Sequence, residues 1–338
     1  MPIEVTSFAA GTAFVVSIVL GWILPLHAHR LGLVVVPGEH RQHSKPTPVV
    51  GGIAIIAAVT VAALIWHPAS LSPFSAILIL LLIGIVDDVL HLPSWVRLAV
   101  QCLAVSVLML TSNMMLIDLG DIFGTGNITL GNASIVMTLF ACIGVINAVN
   151  MSDGMDGLAG CLVVVVCAAL ILSGGPSLGL SVILVGAVLG FLYWNMRLFR
   201  RSASIFMGDA GSTTLGLLLA YLLIQASQGE NAVIAPVTAL WFLALPLIDA
   251  VGVLIVRPLR GRSPFSADHL HYHHALRELG FSVNHTLWLA VSLQVVLAGL
   301  GLFMLQQGVT ENVQLNLFLG LFFAYLAFLY HRSKTHDF

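Results

Sequence analysis

Of the 338 residues, 59% are hydrophobic and only 8% charged, with a formal net charge of −2 and a mean hydropathy of +1.02. Soluble domains carry about 25% charged residues, so this composition excludes a soluble globular enzyme and a basic nucleic-acid binder. It describes an all-α polytopic membrane protein, whose apolar runs each cross a ~30 Å hydrocarbon core as helices that satisfy their own backbone groups.

Eleven such runs are predicted, at 8–26, 49–66, 70–86, 96–117, 134–147, 158–172, 178–194, 213–225, 232–256, 286–305 and 313–330; those starting at 134, 158 and 213 are short. The first has neither a strong basic flank nor a small-residue cleavage site and reads as a retained span. Cys102, Cys142, Cys161 and Cys167 all lie inside apolar runs without metal-ligand spacing, which predicts packing roles. With eleven crossings all thirteen Lys and Arg residues fall on one side, while the opposite loops hold Asp118, Asp121, Glu230 and Glu311 but no base. By the positive-inside rule the N-terminus is outside and the C-terminus cytoplasmic. The chain reads as one integral-membrane domain, 1–338, with inside loops at 27–48, 87–95, 148–157, 195–212 and 257–285.

The first inside loop combines Arg41, His43 and Lys45 with three prolines. Two readings fit it: an anion or lipid-headgroup site, each cation attracting phosphate by about 1 kcal/mol, or a loop that only sets topology. The third run ends in the adjacent pair Asp87 and Asp88, where an ionised side chain in hydrocarbon costs about 3 kcal/mol. Such a pair repels itself unless a proton or cation is shared, which favours function over anchoring. The outside loop 118–133 is rich in Gly and Asn, with alternating stretches suited to a small hairpin; its N-x-S/T patterns at Asn127 and Asn132 carry no chemistry.

The fifth run leads into V-I-N-A-V-N-M-S-D-G-M-D-G-L-A. Asp153 and Asp156 are three apart and share one face of a helical turn that Asn147 and Asn150 continue, while Gly154 and Gly157 allow close backbone approach. Hard oxygen ligands of this kind suit Mg²⁺, completed by waters and substrate phosphates; the plain alternative is an Asx cap between glycine turns. Beyond the seventh run come Arg197, Arg200 and Arg201, then Gly208-Asp209-Ala210-Gly211-Ser212 opening the eighth. Asp209 alone would read as a helix N-cap, but it is a third acidic site on the same side, beside a basic cluster. The ninth run contains Pro246 and Asp249, an intramembrane carboxylate that is functional, orients an arginine or caps a broken helix. The loop 257–285 carries His269, His271, His273 and His274; without cysteines or a remote matching pair, phosphate contact and proton exchange fit better than structural zinc. The last two runs hold no charged residue and are assigned to packing and lipid contact.

Carboxylates beside cations at one membrane surface are what phosphoryl transfer requires, and they imply one soluble phosphate substrate and one lipid substrate. The rival reading, an ion-coupled carrier, would place its charges near mid-bilayer in broken spans of an inverted repeat; no repeat is visible. A non-catalytic scaffold gives no reason for so many carboxylates.

Four segments, D-D-x-x-x-L-P at Asp87 to Pro93, N-A-x-N-x-x-D-G-x-D-G-L-A at Asn147 to Ala159, F-M-G-D-A-G-S at Phe206 to Ser212, and S-P-F-x-x-D-x-x-H-x-H-H at Ser263 to His274, resemble those of the polyprenyl-phosphate N-acetylhexosamine-1-phosphate transferases, glycosyltransferase family 4. The similarity runs over nearly the whole chain in order. The H-x-H-H form and eleven spans resemble the branch acting on undecaprenyl phosphate and UDP-GlcNAc more than the muramoyl-pentapeptide branch. The resemblance implies transfer of N-acetylhexosamine 1-phosphate to undecaprenyl phosphate in the cytoplasmic leaflet of the bacterial inner membrane. UMP would be released, Mg²⁺ required with Mn²⁺ as a substitute, and the product used for an O-antigen-type polysaccharide. A homodimer is compatible with it. By motif, Asp156 and Asp209 would be metal carboxylates, and Asp87, Asp88 and Asp153 catalytic. Lys45, Asn147, Asn150, Asn195, His271, His273 and His274 would bind substrate. One departure is His269-Leu270, where that branch often has Arg-Gln, which puts in question how the donor diphosphate is held there.

Overall fold

The computed structural model of the chain describes residues 3–36, 46–67, 71–197, 202–264 and 270–335. Every predicted apolar run falls on helix. α1 (Ile3–Ile23) and the one-turn α2 (Pro25–Ala28) precede α3 (Gly51–Trp66), α4 (Phe74–Leu90) and α5 (Ser94–Ser112). α6 (Ser134–Met151), α7 (Leu158–Ser173), α8 (Leu178–Asn195) and α9 (Gly208–Ser227) follow the 118–133 loop. α10 (Pro236–Phe242) and α11 (Ala244–Leu259) share the ninth run, and α12 (Tyr272–Glu278), α13 (Val283–Gln306) and α14 (Glu311–Thr335) complete the chain. Seven helices are long and apolar enough to cross a membrane, or eight if α10 and α11 form one bent span. α3 and α7 are apolar but only 16 residues each, about 24 Å at 1.5 Å per residue. The protein is thus a polytopic, helical membrane protein.

α9 is the central post. From Ala210 onward nearly every residue is buried, against α3, α4, α6 and α7. Lipid tails are as apolar as leucine, so association depends on close packing of small residues. A Cβ on Gly52 of α3 would lie 2.3 Å from Cα of Gly211, and one on Gly84 of α4 2.3 Å from Cα of Ala210. These contacts bring the starts of α3 and α9 and the end of α4 to one point. Large apolar side chains such as Leu110 and Leu82 stay exposed on the outside of the bundle, as a surface set in lipid requires.

The ninth run is not one straight helix as its hydropathy predicts. α10 and α11 meet at Leu243 with a bend of 87°. Pro246 lacks the N–H that would continue the ladder to Phe242, and Gln294 of α13 takes over both freed groups. Its Nε2 donates to the Phe242 carbonyl at 2.6 Å, and its Oε1 accepts the Leu245 N–H at 2.9 Å. Irregular backbone at membrane depth is tolerated where protein satisfies it in this way.

Strands are minimal among the described residues: β1 (Val34–Val35) pairs antiparallel with β2 (Thr47–Pro48). Beyond β2 the chain bonds to the approach of α9, with Phe206 N–H donating to Pro48 O at 2.8 Å and Gly51 N–H to Phe206 O at 2.9 Å. The 118–133 loop forms the expected hairpin, Asp118 opposite Thr129, closed by Leu119 N–H to Ile128 O at 3.0 Å. The cysteines are unpaired thiols packed in helices, as expected.

Candidate active site

The ends of α4, α6, α8 and α9 and the start of α12 surround a cavity of about 380 Å³. Its lining includes Asp88, Asn150, Asp153, Asp156, Asn195, Asp209, His273 and His274, together with Arg197 and Arg277. Four carboxylates therefore meet two histidines and two arginines across one space.

Asp88 ends α4 and reaches the first turn of α9. Its Oδ1 accepts the Asp209 N–H at 2.8 Å and its Oδ2 the Ala210 N–H at 3.3 Å. It caps α9 from another helix, where unpaired N–H groups and the helix dipole favour an anion. The approach is possible because Gly208 has φ +75° and a Cβ there would lie 2.7 Å from Asp88 Oδ2. The cap role that the sequence offered to Asp209 is thereby filled, and the Asp209 carboxylate is released to the cavity. Its Oδ1 accepts from Asn150 Nδ2 at 2.6 Å, and the same Nδ2 reaches Ser212 Oγ at 2.8 Å.

Asp153 follows the end of α6. No hydrogen-bond donor among the described residues reaches its carboxylate. Enclosure by the cavity walls, then the charges of Asp209, Asp88 and Asp156, push its carboxyl well above the usual carboxylate range. Asp156, three residues on, has a cation: Arg197 Nε donates to its Oδ2 at 2.5 Å, and Ala203 N–H reaches the same oxygen at 3.3 Å. The two carboxylates of one motif thus have opposite surroundings. Asn195 bridges backbone, accepting Gly157 N–H at 2.7 Å and donating to Ile205 O at 2.9 Å. Although it lines the cavity, both ends of its amide are committed.

The histidine segment packs directly on this turn. A Cβ on Gly154 would lie 2.6 Å from His273 Nε2, so glycine is what admits the ring. His273 and His274 have ring centroids 4.3 Å apart and both line the cavity.

Three of the residues expected at the site stand behind it. Asp87 is buried and turned away, accepting the Leu92 N–H at 2.6 Å with Arg97 at 3.6 Å, which ties the turn after α4. Asn147, one turn below Asn150, donates to Gln101 Oε1 at 2.9 Å and to Ile143 O at 2.8 Å. His271 is buried against Asp249 at 2.7 Å. Lys45, Arg200, Arg201 and His269 lie outside the described residues. Arg277 also lines the cavity, although none of the four sequence motifs includes it. It sits four residues after His273 and three after His274 on α12, so helical spacing from the histidines points to it. Its Nη1 donates to Phe281 O at 2.5 Å, while its Nε is buried without a partner.

Among the described residues no three Asp, Glu, His or Cys side chains stand together as a ready metal cage. Mg²⁺ does not ask for one: it is usually held by one or two carboxylates, with waters and substrate phosphates completing the octahedron. Asp209 and the unpaired Asp153 at the cavity fit that donor set.

Residues 70–227 match glycosyl transferase family 4. The chain is 36% identical over 307 residues to undecaprenyl-phosphate alpha-N-acetylglucosaminyl 1-phosphate transferase of Escherichia coli strain K12, covering 88% of this chain and 84% of that protein. The protein of the same description from Yersinia pestis is 36% identical over 310 residues, with the same coverage. That from Haemophilus influenzae is 34% identical over 319 residues, covering 91% of this chain and 88% of that one. A likeness of this extent spans every segment that builds the cavity, from the carboxylate pair ending α4 to the histidines of α12, and the chain belongs to glycosyl transferase family 4.

Proposed function

We propose that this protein transfers N-acetylglucosamine 1-phosphate from UDP-GlcNAc to undecaprenyl phosphate, giving undecaprenyl-diphospho-GlcNAc and UMP. The observation that carries it is the meeting of Asp88, Asp153 and Asp209 with His273, His274, Arg197 and Arg277 in one cavity at the ends of apolar helices. The names of the relatives supply the lipid and the sugar. With eleven crossings, counting α3, α4 and α7 and the bent pair as spans, all bases fall on the cavity's side. That argues for a cytoplasmic site at the inner membrane, the first membrane step of an O-antigen-type polysaccharide.

In the reaction an oxygen of the lipid phosphate forms a bond to the sugar-bearing phosphorus of the donor, and the diphosphate P–O bond breaks to release UMP. Arg277 and the His273-His274 pair hold the donor's phosphates; the guanidinium is suited to paired phosphate oxygens. Asp88 stands at the mouth of α9, where it takes a proton from the incoming lipid phosphate or keeps it oriented. Asp153 and Asp209 would hold Mg²⁺, which when bound neutralises charge on the phosphate oxygens. This assignment moves Asp156 out of the metal-ligand role that its motif implies. With Oδ2 taken by Arg197 and Ala203, it holds the arginine in the cavity wall instead. Asn150 orients Asp209.

The carrier reading loses support at the bent span. Its broken backbone is satisfied by neutral Gln294, and the neighbouring cavity of about 460 Å³ is lined by apolar side chains such as Phe140, Leu240 and Phe318. A charge pathway would need polar groups there.

The test is to incubate membranes containing the protein with labelled UDP-GlcNAc, undecaprenyl phosphate and Mg²⁺, then assay UMP and labelled lipid, with UDP-GalNAc in a parallel arm. Formation of product from UDP-GalNAc alone would replace the sugar; no product from either donor would sink the transferase reading.

A further inference from the structure

His271 belongs to a buried network behind the cavity that joins three helices. Its Nδ1 lies 2.7 Å from Oδ2 of Asp249 in α11. Oδ1 of the same carboxylate accepts the Tyr272 N–H at 3.2 Å and the Tyr325 hydroxyl of α14 at 2.5 Å. Both donors use Oδ1, which leaves Oδ2 for the imidazole, and an ionised carboxylate accepting there would place the shared proton on Nδ1. Seven residues after Tyr325, Arg332 donates to Leu270 O at 2.8 Å and to Glu278 at 2.7 Å. α14, which the sequence offers only for packing, therefore grips the histidine segment at both sides. The His271 ring is stacked on His273, centroids 5.6 Å apart with planes 12° from parallel, and His273 meets His274 at the cavity.

We propose that Asp249 and Tyr325 are positioning residues for sugar-phosphate transfer: they fix the tautomer and ring plane of His271, which through ring stacking sets His273 and His274 against the donor's phosphates. This rests on the reading of the cavity as a phosphosugar-transfer site. The groups that face the Asp249-His271 pair are Tyr272, His273 and His274 from α12 and Tyr325 from α14, with Arg332 beyond Tyr325. A tie that merely fastened helices would change stability when cut. A positioning network also changes where the proton sits and how the rate depends on pH.

The experiment uses the full-length protein in nanodiscs, labelled with ¹⁵N-histidine, the His271 signals being identified by their loss in His271→Asn. The wild type should show the Nδ1–H tautomer. In Asp249→Asn, whose amide can donate to Nδ1, the signal should move to the Nε2–H form. Turnover should fall about tenfold or more, with kcat losing more than KM gains and the acid limb of the pH–rate profile displaced. Tyr325→Phe removes one hydroxyl from a folded helix and should displace the same limb with a smaller loss. A His271 tautomer and a pH profile unchanged in both variants, with only the unfolding temperature lowered, would overturn the proposal. Because the tautomer is read without turnover, failure of the wild type to release UMP would count against the transferase reading separately.

Discussion

The carboxylate of Asp88 accepts the backbone N–H of Asp209 at 2.8 Å, so one acid caps the helix from which the other projects. Asp88 provides for the free N–H groups of α9, and Asp209 is left with its charge toward the cavity, steadied by Asn150. The two acids should therefore fail differently. Asp209→Asn should lower turnover by about a hundredfold or more without changing the unfolding temperature. Asp88→Asn should lower both, the stability loss being about 1 kcal/mol for a weakened helix cap. Product formation measured beside thermal unfolding in detergent separates them; a wild-type rate in Asp209→Asn would remove that residue from the site.

Asp153 gives the site a pH dependence whose sign follows from burial. Its carboxyl is raised above the usual range, so the folded, metal-free protein holds a proton there that the unfolded chain gives up at lower pH. Its contribution to stability is present below the unfolded carboxylate range and is lost as pH rises from there through the raised folded value. Mg²⁺ uptake should displace this proton, so affinity should rise with pH. Calorimetry in buffers of different ionisation enthalpy should detect proton release in the wild type and less in Asp153→Asn. Equal release in both would assign the proton elsewhere.

Arg277 is placed to carry the donor's charge. Arg277→Gln keeps a polar side chain on α12 and should raise KM for the UDP-sugar by about tenfold, equivalent to one lost charge-assisted hydrogen bond of ~1.4 kcal/mol. kcat should change less. Steady-state kinetics at fixed lipid decides it; an unchanged KM with a reduced kcat would move Arg277 from binding to the transition state.

Gln294 is the sole side chain of α13 that mends the break between α10 and α11 among the described hydrogen bonds. Gln294→Leu leaves the Phe242 carbonyl and the Leu245 N–H without partners in an apolar setting, each costing about 1–3 kcal/mol. The unfolding temperature should drop clearly, whereas Gln294→Glu, which keeps the acceptor for Leu245, should lose less. Equal stability in wild type and Gln294→Leu would show that another group takes over.

The helices were legible because hydrocarbon imposes one rule on every span, and each apolar run of the sequence indeed carries a helix. The ninth run shows the limit of that rule. Hydropathy counts apolar residues and is blind to the Pro246 N–H deficit and to the distant Gln294 that makes an 87° bend tolerable. Within the site, the motifs brought forward Asp88, Asn150, Asp153, Asp156, Asp209, His273 and His274, all of which line the cavity. They could not separate Asp88 from Asp87, or His273 from His271, because adjacent or alternate residues share a motif while pointing to different partners.

By itself the sequence determined a polytopic helical protein, with the acids, amides and histidines of its four motifs set at or near the ends of apolar runs. Composition and motif order suffice for that, since desolvation penalises charge in any span whatever its neighbours. Only the tertiary structure decided which acid is free. Asp87 is turned away to Leu92 and Arg97, and of the acids that line the cavity Asp156 is held by Arg197 and Asp88 caps α9, whereas Asp209 receives only the Asn150 amide and Asp153 no donor among the described residues. At the cavity, ionisation and hydrogen bonding depend on distant partners, Arg197 for Asp156, 41 residues away, and Asp88 for Asp209, 121 residues away, and those distances close only when the helices pack.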